Sequence, residues 1–394
     1  MKTNSHRFLC ALCALTVFIS ALFPASAFAA QAADTVAQTT LTTADAQEMQ
    51  QADSAVTALT GSDAYAEMTR AQRLDAAVAQ LQQLAEEGLV SARSLHVDEE
   101  NGMVRFAYSC GALGGVLVED PDEENTPFAL SELPAVDLHE MSNAPQGDLG
   151  SAMIYYAFDN TVNSTRYPYY AYMQTYWTSQ GLDTTLNTRV TLSDLRRMGR
   201  YDVCVLSTHG AYYTYEYGWL WKKTATEPLI LLTEQSNFWS DFRYGLDLLS
   251  HRVVKINGMY AATGAFFRSA YRGSGIVLSE TCEFYGKNGH VDTSIADGLL
   301  AGGAKAVAGY VNNVYSVYSR SMLWDMVNRM IAGDTLEQAA EDAKETYGTD
   351  DIIWYSSQGG RRPHAAASYL MLSGDHTVRL PGAPAAAPAE QQAA

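Results

Sequence analysis

Apolar residues change their spacing along the chain, and each change predicts an element. From Tyr65 to Glu87 they recur at helical intervals: Leu74, Val78, Leu81 and Leu84 share one face, and Gly88 can close the helix. The period then drops to two. SARSLHV leads into a turn at Glu99–Gly102, and Val104, Phe106, Tyr108 and Cys110 alternate on one side of MVRFAYSC, which predicts a hairpin. Beyond residue 150 the texture changes again. SAMIYYAF, VCVL, RVVKINGMY, IVLSE and AKAVAGYV are short apolar runs of strand type. Between and after them lie helical patterns: TRYPYYAYMQTYWTSQG, TLSDLRRMG with a Thr or Ser cap, IADGLLAGG, SRSMLWDMVNRMIAG and TLEQAAEDAKETYG. Continuous apolar strands separated by helices predict a mostly parallel sheet covered on both faces.

The connecting stretches divide the chain. Residues 30–62 are rich in Ala, Thr, Gln and Asp and are expected to be a flexible lead-in. Residues 63–130 form a small α+β region that ends in the acidic loop EDPDEENTP, and residues 131–150, with Pro134 and Pro145, read as a linker. Residues 151–381 form the large α/β domain. The tail, 382–394, is low-complexity Ala/Pro sequence and is expected to be disordered. Residues 1–29 read as a secretory signal: Lys2 and Arg7, then FLCALCALTVFISALF, then small residues with cleavage expected near Ala29. The mature protein is therefore expected to be exported, secreted or extracellular, with no membrane span after signal removal.

Charge and cysteine content narrow the functions. The chain has 26 basic and 44 acidic residues, a net charge of −18 that becomes −20 once Lys2 and Arg7 are removed. So acidic a surface argues against nucleic acid as a partner and favours basic ligands. Three cysteines remain after cleavage, Cys110, Cys204 and Cys282, too few for a disulfide framework. No CxxC pair or HExxH occurs, so no metal site and no cofactor is expected.

Two stretches carry chemistry. YDVCVLSTHG ends its apolar run in His209, and GIVLSETCEF ends its run in Cys282. In an open parallel sheet, functional groups gather beyond the carboxyl ends of the strands. If the two strands are neighbours, imidazole and thiol meet there. The imidazole can generate a thiolate nucleophile and later protonate a leaving amine. The backbone N–H groups of Gly210 and Cys282 can face a developing oxyanion. Cys204, inside an apolar run, and Cys110, on the hairpin, are expected in the core. His290, in GKNGH, is the rival base, but no strand precedes it. Asn312 and Asn313 follow a strand and can border the cleft without an assigned role.

A strand ending in His-Gly, followed later by a strand ending in Cys, resembles the caspase-like cysteine peptidases. These include caspases, metacaspases, clostripain, gingipains and CHAT domains. Residues 296–348 resemble the gingipain-like and CHAT order of helix, Gly-Ala strand, long helix, turn and helix. SYLMLSGDHTVRL resembles the closing strand and Gly-Asp turn. The likeness spans roughly 151–381 and implies a three-layer α/β sandwich and hydrolysis of peptide bonds through a thioester, with a protein or peptide as substrate. In metacaspases and clostripain, an Asp two residues before the Cys lines the pocket for a basic P1 side chain. Glu280 stands there in this chain, one methylene longer, and a carboxylate at that place would pair with Arg or Lys. The resemblance also implies a pro-region role for the N-terminal region, although no processing site is evident. The 73 residues from His209 to Cys282 include the hairpin candidate GWLWKK/PLILLTEQ, with a turn around Thr224–Glu227. The aromatic-rich stretch AYYTYEYGWLW in this segment reads as a substrate cleft or flap or, preferred, as an insertion with its own small core. Two other readings of the fold are a binding or scaffold protein that uses no catalysis, and transpeptidation through the same acyl-enzyme.

Overall fold

The computed structural model describes residues 40–118, 148–158, 167–217, 223–357 and 366–384. The signal, the acidic loop, all but the last residues of the linker and most of the Ala/Pro tail lie outside the described residues. Apart from the strand ends at 216–217 and 223–224, the described residues belong to one compact unit. The protein is a mixed α/β structure with two large sheets.

Thr43–Thr60 (α1) is a helix, where composition predicted a lead-in. A capping box between Thr42 and Asp45 starts it, and Ala46, Met49, Ala52 and Val56 make a narrow buried stripe. Small residues suffice for this stripe because the helix packs closely, so low bulk hydrophobicity was a poor guide. Asp63–Ala66 (α2) and Arg70–Glu86 (α3) follow. The α3 helix buries Leu74, Leu81 and Leu84 as expected, and Gly88, at φ +79°, takes the chain out of it. His96–Asp98 (β1), Met103–Ala107 (β2) and Leu113–Leu117 (β3) form an antiparallel meander. Cys110 lies half-buried against the core beside them.

The second part begins with Ser151–Ala157 (β4), Tyr167–Ser179 (α4), Asp183–Asn187 (β5), the short Thr191-capped helix Leu192–Leu195 (α5) and Val203–Thr208 (β6). The chain then leaves this sheet for Gly210–Tyr217 (β7) and Lys223–Gln235 (β8), the short helices Phe238–Arg243 (α6) and Gly245–Leu249 (α7), and Val253–Ile256 (β9) with Met259–Ala262 (β10). It returns through Gly264–Ala270 (α8) and Ile276–Ser279 (β11), then a small hairpin of Gly286–Lys287 (β12) and His290–Val291 (β13). Ser294–Ala301 (α9), Ala306–Val311 (β14), Ser316–Ala332 (α10), Leu336–Tyr347 (α11), Asp351–Ser357 (α12) and Tyr369–Gly374 (β15) complete the described fold.

The first large sheet has the order β15-β14-β11-β6-β4-β5 and is parallel throughout except for β15. Both its faces are covered. Ala152, Ile154, Val203, Val205, Ile276 and Leu278 pack toward α4 and α10, while Met153, Tyr155, Cys204, Leu206 and Val277 pack into the opposite core with α8 and α9. This double burial explains why the strands read as unbroken apolar runs.

Three expectations for the insertion change. RVVKINGMY is two antiparallel strands, β9 and β10, joined at Asn257 and Gly258, both at positive φ. An Asn-Gly pair is the sequence mark of such a turn. The turn foreseen at Thr224–Glu227 falls inside β8, where Thr226 meets Thr214 across the hairpin at 2.8 Å. The insertion also lacks a private core. The second sheet runs β1-β2-β3-β9-β10-β8-β7, and Gly114 and Gly115 of the N-terminal region pair in parallel with Lys255 and Ile256. Met103 and Leu113 share an apolar cluster with Tyr213, Leu229, Leu231 and Ile256. Among the described residues, no helix is long and apolar enough to cross a membrane.

Candidate functional site

Strands β6 and β11 are parallel neighbours in register, with Leu206 opposite Ser279. The ladder continues past the strand ends: the Glu280 N–H donates to the Leu206 carbonyl at 2.8 Å, and the Thr208 and Thr281 hydroxyls meet at 3.0 Å. One residue further, the same register sets Cys282 level with His209. On the other side of β6, Ala157 pairs with Thr208, which brings Phe158 level with His209. The Phe158 and His209 rings meet edge to face with centroids 4.6 Å apart. Phe158, His209 and Cys282 therefore form one row across the carboxyl edge of three parallel strands. Side-chain alternation puts all three on the α4/α10 side. His209 and Cys282 are half-buried, as groups that must meet a substrate should be.

Gly210 has a reason that the sequence did not disclose. A Cβ built on it would stand 1.9 Å from the Cys282 carbonyl oxygen and 2.6 Å from Thr281 Cγ2. Only glycine lets the two strand ends approach this closely. Close contact is the requirement here.

The Cys282 sulfur lies against the turn after β14. The Val314 N–H donates toward Sγ at 3.4 Å, and Sγ stands 3.7 Å from the Val314 carbonyl. An N–H directed at sulfur favours the thiolate. This turn is anchored from behind. Asp351, fully buried on α12, accepts from the Tyr315 N–H at 3.1 Å and the Ser368 N–H at 2.8 Å, and Tyr315 stacks on Tyr355 with centroids 4.5 Å apart. Asn312, at φ +67°, ties neighbouring loops through its amide: its Oδ1 accepts from the Asn288 N–H, and its Nδ2 donates to the Ala367 carbonyl. Asn312 is therefore a loop brace, and the turns that surround Cys282 depend on it. Asn313 is half-buried beside it.

Glu280 occupies the row just behind Cys282 and is 7% exposed. The Tyr170 hydroxyl, from α4, donates to Glu280 Oε2 at 2.6 Å and accepts from the Ser207 hydroxyl at 2.7 Å. Burial and then the Glu280 charge hold the Tyr170 phenol well above its usual range, while the Arg320 charge opposes them. Glu280 is thus gripped from within the α4/α10 layer. Tyr170 could not be found from sequence, since 110 residues separate the partners.

The remaining cysteines and the rival histidine stand apart. Cys204 is fully buried, and burial pushes its thiol up; burial does the same, less strongly, to Cys110. None of the three thiols is in a disulfide. His290 is exposed on the β12–β13 hairpin, opposite Lys287. Among the described residues, no group of three or more His, Cys, Asp or Glu side chains is arranged to hold a metal ion.

Neither models of known protein families nor curated proteins match this chain.

Proposed function

We propose that the protein is an exported cysteine endopeptidase on a caspase-like fold, with His209 as acid/base and Cys282 as nucleophile. The observation that carries this reading is the register of β6 and β11, which aligns the two residues at one carboxyl edge. The sheet order, with five parallel strands closed by antiparallel β15, supports the caspase-like comparison. In the reaction, His209 takes the Cys282 thiol proton and the sulfur attacks the substrate carbonyl carbon. The tetrahedral oxyanion faces the N–H groups of Gly210 and Cys282. The C–N bond breaks as His209 returns the proton to the departing amine. Water then attacks the thioester, giving the acid and restoring the thiol.

Glu280 carries two readings. As the base of the P1 pocket it would select Arg or Lys. Its burial and its bond to Tyr170 favour a second role, bracing the row beneath Cys282.

One assay separates these readings. Mature protein is offered fluorogenic peptides with Arg, Lys, Asp or Leu at P1, alongside Cys282→Ala and Glu280→Gln. Cleavage after Arg or Lys by wild type, lost in Cys282→Ala, is expected. If no peptide is cut and iodoacetamide does not label Cys282, the peptidase reading fails, leaving a binding or scaffold role. Unchanged P1 preference in Glu280→Gln removes the pocket role only. Added amine nucleophiles that capture the acyl group would show transpeptidation.

A further inference from the structure

The strand register builds a second row of side chains behind Phe158, His209 and Cys282. Tyr156 pairs with Ser207 across β4 and β6, and Leu206 pairs with Ser279 across β6 and β11, so Ser207 stands level with Glu280. Tyr156, Ser207 and Glu280 each lie two residues before a member of the first row, and side chains two apart in a strand share a face. All three are buried. Tyr170 of α4 closes over them. Its ring packs on Tyr156 with centroids 4.9 Å apart, and its hydroxyl bonds to both Ser207 and Glu280.

The buried row carries the first. Phe158 packs on Tyr156 with centroids 5.2 Å apart, and its ring meets the His209 imidazole at 4.6 Å and an interplanar angle of 71°. Strand β6 lies between β4 and β11, so Phe158 and Cys282 flank His209 from opposite sides. Both flanking residues pack against the same apolar core. In a nucleophile–base pair the base is itself oriented by a third group. An imidazole serves a thiol only while a ring nitrogen faces the sulfur, and rotation about its side-chain bonds would carry that nitrogen away. An aromatic ring packed edge to face against the imidazole restricts this rotation.

We propose that Phe158 is the positioning residue for His209: its ring, backed by Tyr156 and Tyr170, holds the imidazole in the orientation that serves Cys282. This inference rests on the reading of His209 as the base for Cys282. Phe158 acts by packing alone. Phe158→Leu keeps an apolar side chain in that place and alters no charge, so Glu280 and, from α10, the buried Arg320 that acts on Tyr170 stay as they are.

The test compares wild type, Phe158→Leu, Phe158→Tyr and His209→Ala. Peptide cleavage gives kcat and KM, iodoacetamide labelling of Cys282 gives a pH profile that needs no turnover, and Tm checks folding. Phe158→Leu should lower kcat about 2- to 10-fold with KM nearly unchanged, the size of an aromatic pair's contribution. It should also move the labelling profile part of the way toward that of His209→Ala. Phe158→Tyr keeps the ring and should stay near wild type in both. If Phe158→Leu matches wild type in kcat and in profile, the positioning role falls while the peptidase stands. Equal losses in Phe158→Leu and Phe158→Tyr also overturn it. If no peptide is cut but Phe158→Leu shifts the profile partway toward His209→Ala, the positioning role stands and the peptidase reading falls. A profile that His209→Ala leaves unchanged overturns the positioning role, because Phe158 then has no pairing to act through.

Discussion

Lys255→Met is the sharpest test of how the N-terminal region is joined to the rest of the protein. Lys255, on β9, has a fully buried ammonium. It pairs with Asp53 of α1 and with Asp241 of α6, the latter at 2.8 Å, and lies 5.2 Å from the Tyr108 ring centroid. The carboxylates are themselves held. Asp53 accepts from the Tyr108 hydroxyl and from Ser236 at 2.6 Å, and Asp241 accepts from the Tyr260 hydroxyl at 2.7 Å. The cluster is one cation between two anions. Methionine fills the space of the stem but leaves both carboxylates buried without a counter-charge. Breaking a buried pair in this way costs about 3–5 kcal/mol, a large part of the 5–15 kcal/mol typical of a domain. Asp53→Asn should cost much less, about 1–2 kcal/mol, because it leaves Lys255 and Asp241 as a balanced pair and keeps an acceptor for Tyr108. Guanidinium denaturation at pH 7, with both variants fitted for midpoint and slope, measures the difference. A Lys255→Met deficit below about 1 kcal/mol, or equal deficits in the two variants, would refute the account.

Two other outcomes follow from the site and its surroundings. Asp351→Ala should release the Tyr315 and Ser368 N–H groups and loosen the Val314 contact with sulfur, so the pH profile for iodoacetamide labelling of Cys282 should move to higher pH. Asp351→Asn, which keeps one acceptor, should restore part of it; identical profiles in all three proteins would show that the turn does not tune the thiol. Glu227, half-buried on β8 and bonded by the Tyr215 hydroxyl, is pushed up by burial to about 7. Below about pH 4.5 both folded and unfolded chains keep this proton; above it the unfolded chain ionises first. Its contribution is therefore fully present in acid and lost as pH rises through about 7. Residual solvent screening limits the effect to about 1–2 kcal/mol. Glu227→Gln should raise Tm relative to wild type at pH 8 and change it little at pH 4, and equal shifts at both pH values would contradict the assignment.

The sheet that carries His209 and Cys282 was legible because its strands are buried on both faces and so read as unbroken apolar runs, each ending in polar residues. The register that aligns the pair was not legible, since it is a relation between strands 73 residues apart. The same limit hid Tyr170 and Asp351, whose roles come from partners distant in sequence. Local signals were missed where one pattern masked another. The Asn257-Gly258 turn sits inside a run that is otherwise strand-like. The α1 helix buries alanines, and a scale of bulk hydrophobicity gives those little weight. Gly210 reads in the sequence only as a possible oxyanion donor, and the nearness of the Cys282 carbonyl that requires glycine there appears only in the structure.

The placement of the N-terminal region bears on the pro-region expectation. A cover that is to be discarded should bury little and leave the remaining domain with satisfied edges. Here β3 supplies the parallel neighbour of β9, α1 supplies a carboxylate to the buried Lys255, and α2 and α3 supply Tyr65 and Arg73 to the cavity beside His209. Removing residues 40–118 would expose the β9 edge, open the apolar cluster around Ile256 and take away much of the wall of the cavity that His209 also lines. The region is therefore built into the second sheet and its core. If the proposed peptidase is held inactive by a removable segment, that segment must be one that can leave without taking this sheet apart.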